Sequence, residues 1–113
     1  MIARVWRGWA QPEQASAYER HFTTAVQAEL RAVEGFVGAQ LLRRQAGDEV
    51  EIVAITTWES IAVIHGFAGE DVERAVVAPE AQRLLSRYED RVTHYEVAYA
   101  TGSRTDLPTE LID

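Results

Sequence analysis

The segment Glu49–Trp58 constrains the fold more than any other part of the chain. It reads EVEIVAITTW, and apolar side chains occupy both of its alternating sets, Ile52 and Ala54 in one and Val53 and Ile55 in the other. A strand with two apolar faces needs cover on both of them. The few helices that a chain of 113 residues can supply cover only one face of a sheet. We therefore predict that the second face meets another copy of the chain in a homodimer.

The periodicity of the other segments predicts the order strand, helix, strand, strand, helix, strand. Strands are expected over Ile2–Ala10, Phe36–Arg44, residues 50–58 and Val92–Tyr99, and helices from Pro12 to about Val33, after Ser60 and from Pro79. This order is typical of an α+β, ferredoxin-like split β-α-β fold, whose four-stranded antiparallel sheet carries its helices on one face. Residues 1–100 would form this domain, and residues 101–113 a loose tail that could lie on a partner subunit.

Composition excludes several classes of function. The net charge of −7 and the lack of a clustered basic patch exclude nucleic acid as a partner. No apolar run reaches the ~20 residues that span a bilayer, and the N-terminus does not resemble a signal peptide, so we expect a cytoplasmic protein without a membrane partner. Cys, Lys and Asn are all absent, which excludes a thiolate nucleophile and a lysine Schiff base. The wide spacing of the three histidines predicts no metal site.

Three polar residues are candidates for catalysis. Glu29 falls inside the apolar stripe predicted for the first helix, where burial would perturb a carboxylate or require a partner for it. His94 lies on the last strand, beside the first strand in this topology, and could act as a general base. Arg7 shares a strand face with Val5 and Trp9 and, beneath the helices, would hold a carboxylate or phenolate. The alternatives are structural. Glu29 could reach the rim of the stripe or pair with a strand arginine, and His94 could belong to a cross-strand polar cluster that fixes register or lines the subunit contact. Arg7 could extend to solvent from near the strand end.

Aromatic residues are numerous for so small a chain. We predict that a flat ligand would lie between the sheet and the helices, in contact with five side chains: Trp58, Phe67, Phe22, Tyr18 and His65. The alternative is that these side chains simply form the core and the subunit interface.

The segment WESIAVIHGFAGEDVERA, from Trp58 to Ala75, resembles the strand–helix segment of the antibiotic biosynthesis monooxygenase family. Glu34–Phe36 and His94–Val97 also match, and the resemblance covers residues 1–99. It implies dimeric α+β barrels in which two sheets face each other. It also implies either cofactor-free oxygenases that act on polycyclic phenols or quinone precursors, or haem-degrading monooxygenases, beside members of no known activity.

The resemblance argues against haem degradation. Haem-degrading relatives use an Asn on the first strand, a Trp on the second helix and a His ligand further on. An ungapped match places Arg7, Phe67 and Val77 at these positions. We therefore predict no cofactor.

Two function hypotheses follow. In the first, the protein is a cofactor-independent monooxygenase or related enzyme that acts on an aromatic or polycyclic ligand. Arg7 would then orient an anionic oxygen, and His94 or Glu29 would move a proton. In the second, it is a non-catalytic dimer of the same fold, which binds a small molecule or serves a structural purpose.

Overall fold

The computed structural model describes residues 1–102 and confirms the α+β, ferredoxin-like fold. The strands are β1 (Ile2–Ala10), β2 (Phe36–Ala46), β3 (Glu49–Trp58), β4 (Arg87–Tyr88) and β5 (Thr93–Glu96). The helices are α1 (Pro12–His21), a π-helical segment (Phe22–Val26), α2 (Gln27–Arg31), α3 (Ile61–Ala68) and α4 (Pro79–Leu84). The predicted tail lies outside the described residues from position 103 onward. No helix within residues 1–102 is long and apolar enough to cross a membrane.

All strand pairs in the sheet are antiparallel, and β1 lies at its centre. The order is β2-β3-β1-β4, and β5 pairs with the same side of β1 as β4 does. The predicted last strand over residues 92–99 is therefore wrong in extent. Only β5 lies within that range. β4 precedes it, in the stretch predicted as helix, and the backbone between β4 and β5 bonds elsewhere. Val92 N–H donates to the Glu73 carbonyl, and Ala75 N–H donates to the Asp90 carbonyl.

The first helix contains a π-helical segment that the sequence did not predict. Pro12 occupies the first turn of α1, where its missing N–H costs nothing. In the π segment, the hydroxyls of Thr23 and Thr24 donate to the carbonyls of Glu19 and Arg20, four residues earlier. Such back-bonding by Thr competes with regular helix geometry. A π turn adds one residue to the helix, which rotates every later side chain by about 100° relative to an α-helix.

The two faces of the sheet differ in cover. We call the side with the even-numbered residues of β1 and β3 the covered face, because the helices pack on it. Its side chains are buried, as Trp6, Ile52 and Trp58 show. The other side, with the odd-numbered residues of these strands, is the open face. On it Val5 and Ile55 are only partly buried by the single chain.

Candidate functional site

A cavity of about 100 Å³ lies between the covered face and the helices. The sheet contributes its floor, α1 with the π segment contributes one wall, and the chain after α3 contributes the other. Its lining is mostly apolar and includes Trp6, Tyr18, Phe22, Val26, Leu30, Ala54, Phe67, Val76, Val77 and Val92. Four lining side chains carry an ionisable group: Arg4, Tyr18, His21 and Glu29.

Arg4 is the main charged group of the site, and it is only 5% exposed. Its Nη2 donates to the Arg74 carbonyl at 2.9 Å, its Nη1 donates to the Val72 carbonyl, and its guanidinium lies 5.8 Å from the ring centroid of Phe67. Burial lowers the pKa of Arg4 to about 10, which leaves it charged at neutral pH. Among residues 1–102 no carboxylate forms an ion pair with it. A buried cation without a counter-ion is costly, so the cavity wall favours an anionic group beside Arg4.

His94 contacts Arg4 rather than the cavity itself. Nη1 of Arg4 lies 3.0 Å from Nε2 of His94. A guanidinium can only donate, so Nε2 accepts and the ring is neutral with its proton on Nδ1. Burial, and then the charge of Arg4, lower the pKa of His94. His94 therefore fixes the guanidinium of Arg4 and does not itself line the cavity.

The helical wall brings three polar groups to the cavity. Tyr18 is 4% exposed, and burial raises the pKa of its phenol, which keeps it neutral. His21 follows one turn later with its ring centroid 6.1 Å from that of Tyr18, and its Nε2 is buried without a hydrogen-bond partner in the described chain. Glu29 lines the cavity from an exposed position. Its predicted burial in an apolar stripe is wrong, because the π turn rotates it toward solvent.

The predicted ligand contacts are only partly brought together. Tyr18, Phe22 and Phe67 line the cavity. Trp58 is fully buried behind it, with its ring centroid 5.1 Å from that of Phe67, and its Nε1 donates to Oγ1 of the lining residue Thr56 at 2.8 Å. His65 is exposed on α3, and its Nδ1 lies 3.1 Å from the Gly69 carbonyl, away from the cavity.

Arg7 does not lie beneath the helices, and this expectation is wrong. It pairs with Val53 on the open face, and its Nε is 3.4 Å from Oε2 of Glu89. The buried arginine of β1 is Arg4, on the opposite face. Sequence reasoning missed both Arg4 and His21 as cavity residues.

The fold and the cavity together define the class of this protein, a small α+β protein whose apolar cavity contains a buried arginine. A family model described as antibiotic biosynthesis monooxygenase matches residues 1–79. The chain belongs to this family. A comparison with curated proteins finds no match.

Solved structures with the same fold come from several bacteria. A Bacillus cereus protein assigned to the antibiotic biosynthesis monooxygenases aligns with a TM-score of 0.65 and 15% identity, over 91% of this chain and 96% of that one. A Streptomyces coelicolor monooxygenase in complex with nanaomycin D has a TM-score of 0.58 and 18% identity, over 90% and 91%. A haem degrader from Mycobacterium tuberculosis, with two haems in its active site, has a TM-score of 0.60 and 22% identity, over 90% and 100%. These likenesses concern the fold.

The cavity is too small for a haem as it stands. Its volume of about 100 Å³ is several times smaller than the ~300–1,000 Å³ of ordinary cofactor and drug-sized sites. Val77 lines it with an aliphatic side chain that cannot coordinate iron, whereas His21, also in the lining, is of a type that can. Within residues 1–102 no group of three His, Cys, Asp or Glu side chains could hold a metal ion.

Proposed function

We propose that this protein is a monooxygenase-like enzyme that binds a small aromatic ligand through an anionic oxygen at Arg4. The observation that carries the proposal is the buried guanidinium of Arg4, which has no carboxylate partner within residues 1–102 and lines an aromatic cavity. A planar guanidinium suits a carboxylate or phenolate, since it can donate two parallel hydrogen bonds. Membership of the monooxygenase family supports an oxygenase rather than another use of such a site.

The volume favours a ligand of about one aromatic ring. An apolar cavity of ~150 Å³ accommodates benzene, and this cavity of about 100 Å³ also opens to solvent, so part of a ligand can project outward. Phe22 and Phe67 would contact the ring faces, and the neutral phenol of Tyr18 would lie along the helical wall. A larger polycyclic ligand would require residues 76–78 to move outward.

The chemistry requires a ligand that becomes an electron-rich anion. Such an anion can react with dioxygen directly. At a CH₂ group, such as the one in the keto tautomer of a phenol, one oxygen atom enters the ligand as a carbonyl, and the other leaves as water with the two hydrogens. Arg4 would stabilise the anion. Glu29, at the exposed edge of the cavity, would accept the ligand proton. His94 would act as a positioning residue, because it contacts the lining residue Arg4 and does not itself line the cavity.

The open face supports the further proposal that the protein is a homodimer. Its apolar side chains include Val5, Val53 and Ile55, with Leu42 of β2 47% exposed and Tyr95 of β5 57% exposed. Two ion pairs flank them, Arg7 with Glu89 beside Val53 and Arg44 with Glu51 toward the end of the sheet. Exposed apolar side chains flanked by ion pairs are a common composition of a protein–protein interface.

The test of function compares Arg4 with Arg7, two arginines of the same strand that lie on opposite faces. Binding of benzoate and of single-ring phenols is measured by calorimetry, and oxygen uptake is measured with single-ring phenols and hydroquinones. We expect Arg4→Gln to weaken benzoate binding at least tenfold, since a charge-assisted hydrogen bond contributes about 1.5–3 kcal/mol, and Arg7→Gln to leave it unchanged.

Three outcomes distinguish the hypotheses. Oxygen uptake that depends on Arg4 supports the monooxygenase. Arg4-dependent binding without uptake across the panel supports the non-catalytic alternative. Equal affinity of wild type and a folded Arg4→Gln variant contradicts the assignment of the anion site, and Arg4→Lys, which keeps the charge, controls for loss of folding.

A further inference from the structure

We infer that His21 is a second polar contact of the same site, and that its Nε2 accepts a hydrogen bond from a hydroxyl of the ligand. The ligand class is then a hydroxylated aromatic acid or diphenol, with one anionic oxygen at Arg4 and a separate O–H group at His21. This inference rests on the proposed function, because it concerns the same cavity.

The first argument is the state of the His21 ring. It lines the cavity, and its Nε2 is buried without a hydrogen-bond partner anywhere in residues 1–102. Most buried polar atoms have a partner, and a buried atom without one costs the free energy of its lost hydration. A ligand hydroxyl in the cavity would remove that cost.

The second argument is that the surroundings offer no substitute within the protein. The neighbours on the helical wall are the aromatic rings of Tyr18 and Phe22, the apolar side chains of Ala25, Val26 and Leu30, and the exposed carboxylate of Glu29. The Tyr18 ring is tilted by 52° to His21 at a centroid distance of 6.1 Å, an aromatic contact rather than a hydrogen bond. Glu29 makes no hydrogen bond to Nε2 either. Within residues 1–102 Nε2 therefore has no partner, and a ligand in the cavity would supply one.

The third argument concerns the direction of the hydrogen bond. A neutral imidazole with its proton on Nδ1 presents a lone pair at Nε2. Arg4 supplies only donors, and His21 in this form supplies an acceptor. The two residues together discriminate between a ligand that carries both an anionic oxygen and a hydroxyl and a ligand that carries only the anion.

The experiment uses three probes of one size, benzoate, 3-hydroxybenzoate and 4-hydroxybenzoate, with affinities from calorimetry. We expect wild type to bind at least one hydroxybenzoate about fivefold more tightly than benzoate, the effect of one net hydrogen bond. His21→Phe keeps a flat ring and removes the nitrogen. It should abolish this preference, so that the hydroxybenzoates bind no more tightly than benzoate does to the same variant. His65→Phe, which alters an exposed histidine outside the cavity, should keep the preference.

A second measurement needs no ligand. If Nε2 has no partner in the folded protein, His21→Phe should unfold at the same temperature as wild type or a higher one, because an unpaired polar atom becomes apolar. A clear decrease would mean that His21 has a structural hydrogen bond, and it would overturn the inference. A hydroxyl preference that survives in His21→Phe would overturn it as well. If wild type binds none of the three probes, the proposed function itself is contradicted. If wild type binds benzoate in an Arg4-dependent way but shows no preference for the hydroxybenzoates, only the role of His21 is contradicted.

Discussion

At the scale of single residues, the site depends on how Arg4 is held. Its guanidinium bridges β1 to the carbonyls of Val72 and Arg74 and also donates to His94. The hydrogen bond to His94 exists only while that imidazole is neutral. Burial lowers the pKa of His94 because it disfavours the charged imidazolium. The charge of Arg4 lowers it further, because a proton on His94 would place two cations 3.0 Å apart. Glu73 opposes this shift.

This arrangement predicts an acid-sensitive stability. The folded-state pKa of His94 lies below its ordinary value of 6.5, so below about pH 6.5 the unfolded chain binds the proton more readily than the folded one. Stability should therefore fall as the pH decreases from 6.5 toward the folded-state pKa, with an uptake of less than one proton on unfolding. His94→Gln can still accept from Arg4 but does not titrate, and it should flatten this part of the profile. Urea unfolding between pH 7 and 5 measures the effect, with His65→Gln as the control; an unchanged slope in His94→Gln would contradict it.

At the scale of elements, the join between the first helix and β2 depends on Gly35. Its φ is +94°, and a Cβ there would lie 2.6 Å from Cγ2 of Val63 on α3. Gly47, in the hairpin between β2 and β3, also has a positive φ, +65°, but a Cβ there would contact nothing within 4 Å. A comparison of the two glycines therefore distinguishes the cost of a positive φ from the cost of a steric clash with Val63.

We predict that Gly47→Ala lowers the free energy of unfolding by about 1 kcal/mol, the cost of a left-handed residue with a Cβ. Gly35→Ala should lower it by about 3 kcal/mol, because the stiff β-branched side chain of Val63 must also move. Chemical denaturation measures both values. Similar losses in the two variants would contradict the close contact with Val63.

Elements whose signal is local could be predicted from the sequence. The two central strands have their predicted bounds within one residue, because their apolar runs end at turn residues. Ser60 caps α3 as predicted and accepts from Val63 N–H at 3.3 Å. The predicted position of Glu29 inside the apolar stripe was wrong, because a pattern with a 3.6-residue period does not reveal a π turn.

The sequence of β1 alone does not indicate which of its two faces lies beneath the helices. Both of its alternating sets contain a Trp and an Arg, so alternation does not distinguish Arg4 from Arg7. The tertiary register decides it, because Arg4 pairs with Thr56 on the side of Ile52 and Ala54, where the helices pack. His21 carried no usable signal, since one isolated histidine on a helix does not reveal which atoms its ring will contact.

At the scale of the whole molecule, the two faces of the sheet differ in what covers them. The covered face is buried by the chain's own helices and holds the cavity, whereas the open face leaves apolar area in contact with water. The three proposed polar contacts of the ligand on β1 and the first helix, Arg4, Tyr18 and His21, all line the cavity that the single chain forms. We therefore expect substitutions at the centre of the open face to change assembly before they change the cavity.

The dimer proposal predicts a particular response at Leu42. This side chain is 47% exposed on the open face, and Val76, 51% exposed, lies on the cavity side. Leu42→Arg should shift the mass in sedimentation velocity from twice the 12.7 kDa of the chain to a single copy, because a charge would otherwise be desolvated between two apolar sheets. Val76→Arg introduces the same charge at a similar exposure and should remain a dimer. A wild-type protein that stays monomeric at micromolar concentration, with a hydrated open face, would contradict both this prediction and the reason for the apolar pattern of β3.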